Sequence, residues 1–270
     1  MLDSGKPSEW WHDRLNRGRL ELCFSDTNFL EFGKIFYATP LDSKKAERGR
    51  RVFSFIDGLN INLFVKETPD LLATDVALAT TGERANPFLG TKGTDRAQKE
   101  LRALARGDLS DKGSQYIRDR EEGKRNFYPT WGQRIREKNP IPSGVQLDLA
   151  QMLAHTGSRQ KLLLKLLPQV STRASEELSA DMSGRFPFIS SCINAHIWAH
   201  FIFLTQPTSA KSPVALGWKR NEDFLHLIES NAADLFFIDD EKAFRRAAEL
   251  TAWRKGKIMR WKQLQEMVGF

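Results

Sequence analysis

The chain has 270 residues, of which 40% are hydrophobic and 10% aromatic, and its formal net charge is +7. This is enough apolar material for a sizeable core, either as one large domain or as a core with an insertion. Cys23 and Cys192 both lie in apolar runs, which excludes a disulfide framework and favours a reducing, cytoplasmic compartment. The basic charge favours an acidic partner without identifying it.

Residues 1–19 are polar and lack the apolar core of a signal peptide, so we expect a short N-terminal arm anchored by Trp10 and Trp11. No uninterrupted apolar run approaches membrane-spanning length, because His196 and His200 interrupt the longest candidate. The sequence therefore predicts no membrane partner.

Four short apolar runs have the pattern of buried strands. They are residues 20–24 (LELCF), 60–65 (NINLFV), 235–238 (LFFI) and 257–261 (KIMRW). Helical patterns separate them: one starts at Ser43, one opens with Pro69, and one is the apolar segment 189–204. Strands that alternate with helices predict an α/β fold with a parallel sheet and helices on both faces.

The segment 84–184 interrupts this alternation with charged residues, glycines and prolines. We expect it to form a helical or irregular insertion within a single domain of residues 20–270.

Four acids stand at comparable places in this pattern. Asp26 follows the first strand, Asp75 lies in the helix after the second, Asp223 begins a helix, and Asp239 follows the third strand. In a parallel sheet such residues meet at one edge. Clustered carboxylates stay ionised together only beside a cation, and hard oxygen ligands favour Mg²⁺ or Mn²⁺.

These segments resemble PIN-like nuclease domains. The resemblance is carried by SDTNFLEF, INLFVKETPDLLATD, EDFLHLIESNAADLFFIDDEKAF and GKIMRW, in that order. Asp26 and Asn28 match the Asp-x-Asn motif of the family, and Asp223 and Asp239 match its third and fourth acids. The second acid is usually Glu, whereas this chain has Asp75.

The resemblance implies a three-layer α/β/α PIN-like fold with a central, mostly parallel sheet and a helical insertion. It also implies a metal-dependent endoribonuclease that uses Mg²⁺ or Mn²⁺, of the toxin type or the RNA-processing type. RNA is then the expected partner, with an antitoxin or another protein as a second one. Two alternatives stay open: a DNA or flap-type nuclease on the same acids, and a non-catalytic PIN-like module that binds RNA or protein.

Further residues are expected to support the site. Asn28, His226 and Asp240 lie beside the predicted acids, and the sequence leaves open whether Asp239 or Asp240 is the fourth acid. Lys124, Arg125 and Trp131 are candidates for RNA contact, because a base stacks on an aromatic ring beside cations. Acids interleave the other basic segments, which indicates solvated helix faces.

Each predicted site residue also has a structural interpretation. Asp26, Asp223 and either Asp239 or Asp240 are suited to cap helices, and Asp75 to a solvated helix surface. His196 and His200 have a spacing that two metal ligands can use, but their aromatic neighbours favour packing.

Overall fold

The computed structural model describes residues 5–37, 43–108, 115, 118–119, 122, 133–140, 146–205, 221–238, 240–254 and 256–269. The bounded helices are α1 Ser8–Arg17, α2 Asp26–Tyr37, α3 Ser43–Gly58, α4 Thr68–Thr81, α5 Thr91–Arg106, α6 Leu149–Ala154, α7 Thr156–Leu166, α8 Thr172–Ala180, α9 Pro187–Thr205, α10 Asn221–Glu229, α11 Glu241–Leu250 and α12 Trp261–Met267. The strands are β1 Cys23–Phe24, β2 Leu63–Phe64, β3 Phe236–Phe237 and β4 Ile258–Met259.

The strands form two separate sheets of two strands each. β1 pairs in parallel with β2, and β3 pairs in parallel with β4. Because the described residues are 70% helical and 5% strand, the predicted three-layer α/β/α fold with a central parallel sheet is wrong.

The shortness of the strands has a local cause. Each strand lies inside a segment predicted to be one, but only two residues of each segment form the strand. The neighbouring helix covers the first of them: the ring of Phe24 contacts those of Phe29 and Phe32 from α2, besides that of Phe64 from β2. A short continuous apolar run indicates burial, and does not by itself say whether strands or helices cover it.

Helices build the core in three clusters. The first surrounds Trp11 and Phe53 and joins α1, α3 and α5. A second joins α4, α7, α8 and the first half of α9, and a third joins the second half of α9 to α10 and α11. The central position expected of a sheet is therefore taken by α9, which is apolar on all sides.

The length and composition of α9 would allow it to cross a membrane, and no other helix within the described ranges meets this criterion. Of its most apolar window, 67% is buried inside the structure. A mostly buried apolar helix is also the pattern of a core helix, and the contacts of α9 fit that role.

The predicted arm and insertion both reach the core. Trp11, in the predicted arm, is fully buried, and Leu101, Leu163 and Leu178 from the predicted insertion are buried in the same clusters. Both segments are therefore integral to the packing of the described structure.

Candidate functional site

The carboxyl end of β1 leads directly into α2 through a reciprocal cap. The side-chain oxygen of Asn28 accepts hydrogen bonds from the backbone amide (2.9 Å) and the hydroxyl (3.0 Å) of Ser25. The amide of Asn28 lies 3.4 Å from the Ser25 hydroxyl oxygen. This is a capping box with Asn in the place of Glu or Gln, so Asn28 shapes the turn that carries Asp26.

Glu229, the last residue of α10, lies against this turn. The Thr27 hydroxyl donates to its Oε1 at 2.7 Å, although 202 residues separate the two in sequence. The residue is only 4% exposed, and within the described parts of the chain its Oε2 is buried without a hydrogen-bond partner. An unsatisfied carboxylate oxygen in the interior costs free energy unless the group takes up a proton or binds a cation.

Burial and neighbouring groups set the ionisation of Glu229. Burial raises the pKa of Glu229, the Ser25 and Thr27 hydroxyls and nearby His226 lower it, and the negative charge of Asp26 raises it again. Two carboxyl groups that disfavour each other's ionisation are a site where a cation is stabilised. We name Asp26 and Glu229 together the acid pair.

His226 links the same two helices. Its Nε2 lies 2.9 Å from Oε2 of Glu31 in α2, an ion pair when the imidazole is protonated. The predicted supporting residue His226 therefore lies next to the acid pair and fixes α10 against α2.

Two further predicted acids, Asp223 and Asp239, are described in part and not at all, respectively. Asp223 lies in the first turn of α10, two turns before Glu229, and its side chain lies outside the described part. Asp239 lies outside the described residues. Asp240 is exposed, and its carboxylate accepts a hydrogen bond from the backbone amide of Lys242 at 2.8 Å, which caps α11.

Asp75 is held elsewhere, at the N-terminus of α9. It is 2% exposed, and its Oδ2 accepts a hydrogen bond from the amide of Ile189 at 2.8 Å. Burial raises its pKa to about 7, while the amides of Ile189 and Phe188 and the charge of Arg84 lower it. These contacts give Asp75 a capping role, and none of them supports its predicted role as a metal ligand.

The pKa of Asp75 predicts how stability depends on pH. The folded state keeps a proton that the unfolded chain has lost, so we expect the free energy of unfolding to fall as the pH rises from about 4 through 7. The linkage amounts to at most about 4 kcal/mol. Asp75→Asn keeps an oxygen for the Ile189 amide and removes the ionisation, so urea unfolding between about pH 5 and pH 8 should show a much flatter profile.

Asp70→Asn is the control for this measurement, because Asp70 is an exposed carboxylate on the same helix, α4. It should keep the slope of the original protein. Parallel profiles for the original protein and Asp75→Asn would contradict the raised pKa of Asp75.

His196 and His200 are engaged with their own helix. Nδ1 of each donates to the carbonyl four residues earlier at 2.8 Å, those of Cys192 and His196. Such bonds fix the rings along α9, in agreement with the packing interpretation.

Of the predicted RNA-contacting residues, Lys124, Arg125 and Trp131 all lie outside the described residues. Across the part of the chain that is described, no group of three or more His, Cys, Asp or Glu side chains is arranged to hold a metal ion. Of the predicted acids, Asp26 alone belongs to the acid pair within the described residues, and its companion Glu229 was not predicted.

Glu229 is not among the residues predicted for the site, because no local pattern in the sequence separates it from a solvated acid on a helix. Only its packing against Ser25 and Thr27 reveals it.

Comparison of the chain with protein-family models, with curated proteins and with solved structures finds no match.

Proposed function

We propose that the chain is a metal-dependent nuclease that hydrolyses RNA at the acid pair. The proposal rests on Oε2 of Glu229, which is buried and has no hydrogen-bond partner within the described residues. The negative charge of Asp26 also raises the pKa of Glu229. A divalent cation supplies the partner that this oxygen lacks.

The donor set fits Mg²⁺ or Mn²⁺. Mg²⁺ is commonly bound through one or two carboxylates, and completes its shell with waters and substrate phosphates. Asp26 and Glu229 provide two such oxygen ligands, and Asp223 and Asp239 stay the predicted further ones. A full cage of protein ligands is therefore not needed.

When bound, such an ion lowers the pKa of a water molecule and neutralises the charge of the phosphodiester. The chain's own groups hold the ligands in place. The Thr27 hydroxyl orients Glu229, the capping box sets the turn of Asp26, and the contact between His226 and Glu31 fixes α10 beside α2.

Charge favours a nucleic acid as the substrate. The net charge is +7, and Lys44, Arg48 and Arg51 are exposed on α3. Basic surface attracts phosphate backbones without distinguishing RNA from DNA. RNA is the preferred substrate because of the motif order noted in the sequence. The family resemblance itself stays a prediction, and the nuclease proposal does not require the fold that was expected.

The test is cleavage of single-stranded RNA, single-stranded DNA and a DNA flap by the purified chain with Mn²⁺, Mg²⁺ or EDTA. We expect RNA cleavage that requires metal and is lost in Asp26→Asn. Asp95→Asn is the matched control, because Asp95 is exposed in the first turns of α5, away from the acid pair. Cleavage of DNA but not of RNA would contradict RNA as the substrate and support the alternative of a DNA or flap-type nuclease.

A second candidate is a non-catalytic module that binds RNA or protein, such as an antitoxin. It is favoured by the engagement of Asp75 and Asp240 in helix capping. Two outcomes would contradict the nuclease proposal and favour this module. One is RNA that is bound but left intact with every metal, and the other is cleavage that persists in Asp26→Asn.

A further inference from the structure

A cleft of about 450 Å³ lies between α6, α7 and α9. Small-molecule sites usually have volumes of roughly 300–1,000 Å³. The cleft shares no lining residue with the acid pair, so what it binds is a separate question from the proposed nuclease activity.

One wall of the cleft is a polar stripe on α7. Ser158, Lys161 and Lys165 line it and are exposed, and their spacing of three and then four residues places them on one helix face. Among the described lining residues none is acidic. Two ammonium groups one turn apart, without a neighbouring carboxylate in this lining, suit an anion.

His155 adds a donor at the start of the same wall. It caps α7, and its Nδ1 accepts a hydrogen bond from the amide of Ser158 at 3.1 Å. Since Nδ1 acts as an acceptor, the imidazole proton is on Nε2. The cap therefore presents an N–H group as well as ordering the helix.

The opposite wall is mainly apolar. Ile197 and Leu204 line it from α9, with Met152 and Leu162 from α6 and α7. The imidazole of His200 also lines it from α9, and its Nδ1 is bonded to the carbonyl of His196 at 2.8 Å. Two amide side chains, those of Asn139 and Gln151, also line the cleft. The lining thus combines a cationic stripe, an apolar surface and a few amides.

We propose that this cleft binds a nucleotide. Its phosphate lies against Lys161, Lys165 and His155, and its base packs against Ile197 and Leu204. Inorganic phosphate would leave the apolar wall without a partner. A fatty acid would use that wall and a single cation, whereas two lysines and a histidine donor line the cleft. A nucleotide base has both an apolar face and polar edges.

The test is isothermal titration calorimetry of the purified chain with AMP, inorganic phosphate, adenosine and laurate. We expect AMP to bind most tightly. The double variant Lys161→Gln with Lys165→Gln should weaken AMP binding by roughly tenfold or more, because charge-assisted contacts to phosphate are lost. Leu204→Trp, which fills the apolar wall, should weaken AMP and adenosine while it spares phosphate.

Lys92→Gln with Lys99→Gln is the matched control, since it removes the same charge from exposed positions on α5. This pair should bind AMP like the original protein, and melting curves should show both double variants folded. Equal affinities for AMP and phosphate, tighter binding of laurate, no binding of AMP, or the same loss in both double variants would each overturn the proposal.

Discussion

Glu229→Gln is expected to abolish metal-dependent cleavage without unfolding the protein. The amide keeps an oxygen for the Thr27 hydroxyl but no longer offers a carboxylate to the cation. Loss of an outer partner of a metal ligand costs about 10- to 100-fold in activity or affinity, so loss of the ligand itself should lower the cleavage rate at least ~100-fold. Stability should stay the same or rise slightly, because a buried charge disappears.

The metal dependence of melting separates this site from a purely structural acid. A ligand present at ~100 times its dissociation constant stabilises the native state by about 2.7 kcal/mol. Mn²⁺ should therefore raise the melting temperature of the original protein and leave the melting temperature of Glu229→Gln unchanged. Thr27→Val removes only the orienting hydroxyl and should have an intermediate effect, a loss of roughly tenfold in rate.

Glu249→Gln is the control for these measurements. Glu249 also lies near the end of a helix, α11, but unlike the buried Glu229 it is exposed. It should cleave and respond to Mn²⁺ like the original protein. A Glu229→Gln protein that cleaves RNA at the original rate would remove this residue from the site.

Arg159→Met is expected to destabilise the protein by about 4 kcal/mol, the scale on which breaking a buried charged network acts. Arg159 is fully buried. Its guanidinium donates to the carbonyls of Ser179, Leu153 and Asp181 and to the side-chain oxygen of Asn194. Truncation leaves these acceptors unpaired in the interior. Urea unfolding at constant pH measures the difference.

Arg159→Lys should recover little of this loss, because an ammonium group cannot reach all four acceptors in their fixed directions. Arg173→Met, at an exposed position on α8, is the control and should change stability by less than about 0.5 kcal/mol. If Arg159→Met unfolds at the same urea concentration as the original protein, the network contributes nothing to stability.

The local signals in the sequence located most elements because they depend on neighbouring residues. Ser43 begins α3 and Pro69 lies in the first turn of α4, as predicted. The apolar segment 189–204 became α9, a core helix. Capping preferences, proline geometry and helical periodicity act within a few residues, and they can be read without knowledge of the fold.

The pairing of distant segments could not be read in this way. The same apolar pattern in LFFI and NINLFV suits a long strand or a short one covered by helices, and the structure has the second. Burial of Asp75 beneath α9, and of Glu229 against Thr27, joins residues more than a hundred positions apart.

The sequence by itself therefore determined where α3 and α4 begin, that segment 189–204 is a buried helix, and that Asp26 follows a strand. Only the tertiary structure decided that helices rather than a central sheet form the core, that Asp75 caps α9, and that Glu229 is buried against Thr27. The physical reason is that the cost of burying a carboxylate depends on what packs against it. That environment comes from segments far away in the chain.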